Sequence, residues 1–86
     1  MAQYRKVLEL KPDHIDARFA VGMLLVQEGR TDEGLAELRK AFDLAQGYGA
    51  EPYGQGIIRV LTELGRKQEA DEIAKKLREK LNPKPR

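Results

Sequence analysis

The sequence predicts an all-α fold of about five helices, arranged as two and a half copies of a helical hairpin. Apolar residues recur every three or four positions along five segments, a spacing that favours amphipathic helices. Glycine or proline stands between these segments, where a helix is expected to end. No segment shows the alternation of apolar and polar residues that a half-buried strand requires. Helices alone are therefore expected to build the core of this 86-residue chain.

The first two helices are separated by a proline. The first is predicted from about Gln3 to Lys11, because the residue before Pro12 is pushed away from helical dihedral angles. Asp13 is expected to cap the second helix, which ends at Gly29. This second helix carries apolar residues on most sides, so we expect it to be covered by neighbours on more than one side.

The other three helices are marked by similar residues. Thr31 is expected to cap the third helix, and Gly47 is expected to close it. Pro52 suits the first turn of the fourth helix, which Gly65 ends. The fifth helix is predicted for residues 67–81.

Two stretches of the chain are similar to each other. They are "LLVQEGRTDEGLAEL" (residues 24–38) and "VLTELGRKQEADEIA" (residues 60–74). Gly29 aligns with Gly65, which lies 36 residues further along the chain. Each copy has the pattern of a helix, a glycine turn and a second helix. Because a short hairpin cannot bury its own apolar surface, stacked copies are expected to bury it for one another.

This pattern resembles the tetratricopeptide repeat family, whose 34-residue unit is a pair of helices. In the first full unit, Gly22, Gly34 and Ala41 are small residues that would let the paired helices approach closely. The initial segment "YRKVLELKPDH" resembles the second helix of a unit with its closing proline. The sequence departs from the family at Arg18 and Gly54, which stand where the family has a large aromatic residue.

The resemblance divides one domain, residues 1–83, into a half repeat and two full repeats. The half repeat would cover residues 1–12, the first full repeat 13–47 and the second 48–83, followed by a disordered basic tail at 84–86. The stretch "GYGAEPYGQG" then contains an inter-repeat turn and the start of a helix. It has neither the preceding strand nor the following Lys-Ser/Thr pair of a phosphate-binding loop.

The resemblance implies a non-catalytic scaffold for protein–protein interaction. In the family, the first helices of successive units line a concave groove that holds an extended or helical peptide. The corresponding side chains here are Asp16, Phe19, Met23, Val26 and Gln27 in the first unit, and Gln55, Arg59, Thr62 and Glu63 in the second. Phe19 and Met23 could instead be core residues, packed against a further helix or a second chain, and the sequence leaves both interpretations open.

Side chains suited to catalysis or metal binding are scarce. The chain has no cysteine and no serine. Its single histidine, His14, is expected to be a structural, solvent-facing side chain in the first turn of a helix. Carboxylates such as Glu33 and Glu69 fall on helix faces that should be solvated. We therefore predict no enzymatic activity, no cofactor and no metal site.

The net charge of +2 is unevenly distributed, since residues 75–86 carry +5 and residues 1–74 carry −3. The alternative function is accordingly an RNA-binding helical-repeat module that grips phosphates with its basic C-terminal helix. A solvated helix end is the simpler explanation, so nucleic acid is the less favoured partner. The sequence shows neither an apolar run of ~18 residues nor a secretory signal, which leads us to expect a cytoplasmic protein without a membrane span.

The N-terminal end is predicted to mediate self-association. Tyr4, Val7 and Leu8 belong to a second helix whose first helix does not precede it in this sequence. Apolar surface would then be exposed, which a soluble monomer avoids. Either the chain is part of a longer repeat protein, or another copy covers this end in a homo-oligomer. Gly29 and residues 47–56 could act as hinges if two copies of the chain exchanged helices.

Overall fold

The computed structural model describes residues 2–82, which form five α-helices and one short 3-10 helix. These elements are α1 (Ala2–Leu10), α2 (Ile15–Gln27), α3 (Thr31–Leu44), the 3-10 helix η1 (Gly47–Ala50), α4 (Glu51–Glu63) and α5 (Lys67–Leu81). No strand occurs within the described range, so the predicted all-α class is confirmed. The predicted disordered tail at residues 84–86 lies outside the described residues.

The chain forms two compact units, Met1–Leu44 and Ala45–Arg86. In the first unit, α2 packs against α3 as a hairpin and α1 packs onto α2. In the second unit, α4 packs against α5, and η1 contacts both of these helices. Each unit thus contains one helical hairpin, as the internal repeat predicts.

The core of the first unit is entirely apolar, and most of it comes from the hairpin. Its buried side chains are Ala17, Val21, Leu25, Leu35, Leu38, Ala41 and Phe42. On each helix these residues are separated mostly by three or four positions, which places them on one face. Full burial of a side chain such as Leu38 contributes about 1.5–3 kcal/mol to folding.

The two helices of this hairpin approach closely where Gly22 faces Gly34. A Cβ atom added to Gly22 would lie 2.7 Å from Leu38 Cγ and 2.9 Å from the carbonyl oxygen of Gly34. A Cβ atom added to Gly34 would lie 2.7 Å from the carbonyl oxygen of Gly22 and 2.6 Å from Val26 Cγ2. Since both glycines meet backbone atoms of the opposite helix, a rotamer change could not relieve the clash. The prediction that small residues here allow close approach is confirmed.

The core of the second unit repeats this arrangement with smaller side chains. Its buried apolar residues are Ala45, Ala50, Ile57, Val60, Leu61, Ala70, Ile73 and Leu77. At the C-terminal end of α5, the Lys80 ammonium donates a hydrogen bond to the Ala45 carbonyl oxygen at 2.9 Å. This bond ties the last helix to the segment that leads into η1.

Both hairpin turns contain a glycine in the left-handed region. Gly29 has a φ of 89° and Gly65 a φ of 78°. The amide of Arg30 donates to the Leu25 carbonyl at 2.9 Å, and the amide of Arg66 donates to the Leu61 carbonyl at 2.8 Å. Each of these bonds joins an amide to the carbonyl five residues earlier. The amide of each glycine also donates to the carbonyl three residues earlier, and the two bonds together form a Schellman motif. The predicted glycine ends of the second and fourth helices are confirmed.

The predicted N-cap of α2 is wrong by one residue. His14, rather than Asp13, occupies the cap position, and its Nδ1 accepts a hydrogen bond from the Ala17 amide at 3.1 Å. The turn after Pro12 continues through Asp13, so the helix starts at Ile15 and the imidazole meets the free amide. His14 is therefore structural, as expected, but it is half-buried and not solvent-facing.

Both predicted ends of α3 also need correction. The first bond of this helix runs from the Gly34 amide to the Arg30 carbonyl at 2.9 Å, so Arg30 holds the cap position and Thr31 is the first helical residue. The Schellman turn brings Arg30 directly into the next helix, which leaves Thr31 inside it. α3 ends at Leu44, and Gly47, with a φ of 55°, starts η1 instead of closing α3.

We predict that Gly34→Ala destabilises the protein by about 1–3 kcal/mol, although alanine favours helices. Overpacking at the Gly22 contact should outweigh the gain of up to ~1 kcal/mol in helix propensity. Urea denaturation would measure the change. Gly49→Ala is a suitable control, because a Cβ atom at Gly49 meets nothing within 4 Å. A stabilised Gly34→Ala protein would contradict the close packing of α2 and α3.

Candidate functional site

The α2 helix exposes apolar surface in addition to the residues that it buries. Ala17, Val21, Gly22 and Leu25 are buried against the rest of the unit. Six further apolar residues of this helix are only half-buried, namely Ile15, Phe19, Ala20, Met23, Leu24 and Val26. The helix therefore carries more apolar surface than its own hairpin covers. This uncovered apolar surface makes α2 a candidate binding site.

Four of the predicted groove residues form a stripe along α2, which we call the α2 face (Asp16, Phe19, Met23 and Gln27). Their spacing of three or four residues places them on the side of the helix opposite the buried stripe. Phe19 and Met23 are half-buried, whereas Asp16 and Gln27 are exposed. The α2 face therefore has an apolar centre with a polar residue at each end.

The fifth predicted groove residue of this unit, Val26, lies at the edge of that stripe. Its Cγ2 atom would be 2.6 Å from a Cβ atom on Gly34, so part of the side chain covers the glycine of α3. Val26 is half-buried. Its side chain thus contributes to the packing of the hairpin.

The four predicted groove residues of the second unit, Gln55, Arg59, Thr62 and Glu63, are all exposed on α4. All four side chains are polar, whereas the α2 set combines polar Asp16 and Gln27 with apolar residues. The Thr62 hydroxyl donates a hydrogen bond to the Ile58 carbonyl oxygen of its own helix at 2.7 Å. Because the hydroxyl proton of Thr62 takes part in this bond, the hydroxyl oxygen can act only as an acceptor toward a partner.

An ion pair between α2 and α3 escaped the sequence analysis. Arg18 Nη1 donates to Glu37 Oε1 at 2.6 Å, and Arg18 Nη2 donates to the Pro12 carbonyl oxygen at 2.6 Å. The two side chains are only 15% and 25% exposed, so the pair is largely shielded from water. Arg18 Nε is buried without a hydrogen-bond partner in the described part of the chain. The sequence did offer an indication of this pair: Arg18 stands where a large aromatic residue is typical, and a charged residue at such a position needs a partner of opposite charge.

Two clefts flank Arg18 in the first unit. One, which we call the Leu44 cleft, has a volume of about 330 Å³ and is lined by Pro12, Asp13, Arg18, Lys40, Asp43 and Leu44. The other, the Leu8 cleft, has a volume of about 310 Å³ and is lined by Arg5, Leu8, Glu9, Arg18, Val21 and Glu37. Both are polar-rimmed depressions, and neither contains a residue of the α2 face.

The residues predicted to mediate self-association differ in exposure. Tyr4 is 41% exposed, whereas Val7 and Leu8 are half-buried. Leu10, which the sequence analysis did not select, is 77% exposed. The helix α1 therefore presents apolar side chains to solvent at Tyr4 and Leu10.

An arginine–glutamate pair follows each hairpin turn. Arg30 binds Glu33 through two hydrogen bonds, with Nε to Oε1 at 2.8 Å and Nη2 to Oε2 at 2.9 Å. Arg66 Nη1 lies 3.5 Å from Glu69 Oε2. The hydrogen bond from Arg30 lowers the pKa of the Glu33 carboxyl below its usual range, and Glu33 raises the pKa of Arg30. Any stability that this lowered pKa brings is present above about pH 4.5 and is lost as the pH falls through the pKa of folded Glu33.

Neither a metal cluster nor a membrane span is found in the described residues. Among residues 2–82 there is no group of three or more histidine, aspartate and glutamate side chains placed to hold a metal ion. None of the helices in this range has the length and apolar character needed to cross a bilayer.

A family model for the tetratricopeptide repeat matches residues 1–83. The chain belongs to the tetratricopeptide repeat family. Proteins of this family generally mediate protein–protein interactions. No curated protein and no solved structure matches the chain.

The two tetratricopeptide hairpins differ at the position that is typical of a large aromatic residue. In the first hairpin, Arg18 holds this position and pairs with Glu37. In the second hairpin, the corresponding residue is Gly54, which is buried and brings no side chain. At this position, the first hairpin therefore has an ion pair between its helices, and the second has no side chain.

We predict that Glu37→Ala destabilises the protein by about 2–3 kcal/mol, because it leaves the largely buried Arg18 charge without its partner. The double variant Arg18→Met/Glu37→Met should recover most of this loss, since it removes both charges. Urea denaturation of the single and double variants would test the pair. Glu33→Ala, whose partner Arg30 is exposed, should cost less. A double variant less stable than Glu37→Ala would contradict the proposed role of the charge.

Proposed function

We propose that this chain is a non-catalytic protein-interaction module that binds an apolar side chain of a partner peptide or helix on the α2 face. The supporting observation is the pair Phe19 and Met23, one turn apart and half-buried, with exposed Asp16 and Gln27 beyond them. An apolar centre with a polar rim is the usual composition of a protein interface.

The two central residues suit such a contact for different reasons. Phe19 offers a rigid aromatic surface with few rotamers to restrict on binding. Met23 has a flexible, polarisable side chain that can adapt to partners of different shape. A partner helix with apolar residues at positions i and i+4 would match their spacing. The expected ligand is therefore an amphipathic segment.

In the second unit, the exposed residues of α4 would supply polar contacts to a partner. Gln55, Arg59 and Glu63 present an amide, a cation and a carboxylate, all at exposed positions. Such side chains contribute more to partner selection and orientation than to affinity.

To test this, we would compare two double variants of α2 with the same spacing. Phe19→Ala/Met23→Ala is expected to weaken binding of a partner recovered from the source cell by at least 30-fold, or about 2 kcal/mol. The fold should survive. Val21→Ala/Leu25→Ala removes two residues that are each 3% exposed and should instead destabilise the domain severely. Calorimetric titration and thermal melting would measure the two effects. Equal destabilisation by both variants would identify Phe19 and Met23 as core.

RNA binding is the second candidate, favoured by the exposed Lys75, Lys76 and Arg78 on α5. Lys80 contributes less, since it already binds the Ala45 carbonyl. Three phosphate contacts would lower the affinity for single-stranded RNA by about 20-fold between 50 and 200 mM salt. Binding on the α2 face should change by less than about threefold, because its centre is uncharged. A titration of the partner at both salt concentrations separates the two functions.

We also propose that the N-terminal end self-associates. The exposed fractions of Tyr4 (41%) and Leu10 (77%) support this, because both side chains present apolar surface of α1 to solvent. Light scattering across a concentration series should show a dimer that Tyr4→Glu/Leu8→Lys converts to a monomer. Gln46→Glu/Gln68→Lys, at two exposed positions of the second unit, adds the same pair of charges and is the matched control. A strict monomer at high concentration would end this proposal.

A further inference from the structure

The helix α1 carries a row of apolar side chains that its own unit leaves partly uncovered. Tyr4, Val7 and Leu10 are three residues apart, so they follow one ridge of the helix, which we call the α1 ridge. Tyr4 is 41% exposed, Leu10 is 77% exposed and Val7 is half-buried. Arg5 and Glu9 line the Leu8 cleft together with residues of α2 and α3, so the α1 ridge lies on the opposite side of the helix.

The internal repeat shows what kind of element covers such a ridge. The segment "YRKVLEL" of α1 is similar to "LRKAFDL" of α3, and an offset of 34 residues aligns Tyr4 with Leu38 and Val7 with Ala41. Leu38 and Ala41 are both 0% exposed. The helix α2 lies antiparallel to α3 across this face, with Leu38 packed against Gly22. The corresponding face of α1 would be covered in the same way by a helix antiparallel to it.

The α1 ridge is complementary to a second copy of itself. A two-fold axis perpendicular to a helix generates an antiparallel partner, in which residue i meets residue j of the other copy and j meets i. With this axis at Val7, Tyr4 of each copy meets Leu10 of the other, because both lie three residues, or about 4.5 Å, from the centre. The two exposed large apolar side chains of α1 then cover each other.

We propose that α1 pairs with α1 of a second copy in antiparallel orientation, with the α1 ridges in contact and the two-fold axis at Val7. This inference rests on the proposed self-association and specifies its geometry. The exposed Lys11, directly after the helix, favours this orientation, because it then lies opposite Gln3. A parallel pair would place the ammonium of Lys11 against its equivalent in the other copy. Since α1 has nine residues, the contact is small and the dimer is expected to be weak.

Engineered cysteines test this geometry, since the chain has no cysteine of its own. In oxidised glutathione, Val7→Cys should form a disulfide-linked dimer about 10-fold faster than Gln68→Cys, an exposed control position on α5. Tyr4→Cys and Leu10→Cys should each link slowly alone and about 10-fold faster when mixed, because these positions meet only across the two variants. Faster linking of either variant alone than of the mixture would indicate parallel helices and overturn the proposal.

Opposite charges on the α1 ridge provide an equilibrium test. Tyr4→Glu and Leu10→Lys, both at exposed positions, should leave the fold intact and should each weaken the dimer by about 10-fold in analytical ultracentrifugation. An equimolar mixture should recover the wild-type affinity to within about threefold, because it has one contact of opposite charges and one native contact. No recovery, while the wild type still dimerises, would overturn this geometry but not the self-association. A wild type that stays monomeric at high concentration would overturn both.

Discussion

The close approach of α2 and α3 at Gly22 and Gly34 is the constraint on which the first unit depends. With no Cβ on either residue, each glycine lies against the backbone of the opposite helix. At this separation Leu38 covers Gly22, and the Arg18 guanidinium reaches Glu37 at 2.6 Å. A wider spacing would open the core and break the ion pair together. Backbone contact between these helices therefore fixes the positions of the side chains on both sides of it.

The same helix has to serve the core and the candidate binding surface. One side of α2 buries Val21 and Leu25 in the hairpin, and the opposite side carries Phe19 and Met23. Because the first side is held against α3, the second is presented at a fixed rotation. A surface presented in this way loses little conformational entropy on binding, which favours affinity from a small contact. Rigidity inside the hairpin would thus favour the recognition that we propose for the α2 face.

Features that depend on neighbours along the chain were predictable from the sequence. The turns at Gly29 and Gly65 follow from glycine's tolerance of positive φ. The cap of α2 was missed because it depends on where the turn after Pro12 ends, and one residue decides between Asp13 and His14. The Arg18–Glu37 pair joins residues 19 positions apart, so finding it requires the rotation of both helices. The Leu44 cleft is a property of shape, which no local pattern encodes.

The two Schellman turns have a consequence for folding kinetics. All their hydrogen bonds close within six residues, as between Leu25 and Arg30, so little loop entropy is lost when a hairpin forms. Contacts between sequence neighbours of this kind are typical of fast-folding helical proteins, whose hairpins form without waiting for distant segments. Each hairpin should also open and close as a cooperative block in hydrogen exchange. A chain organised in this way can emerge from the ribosome one hairpin at a time, each with its turn already made.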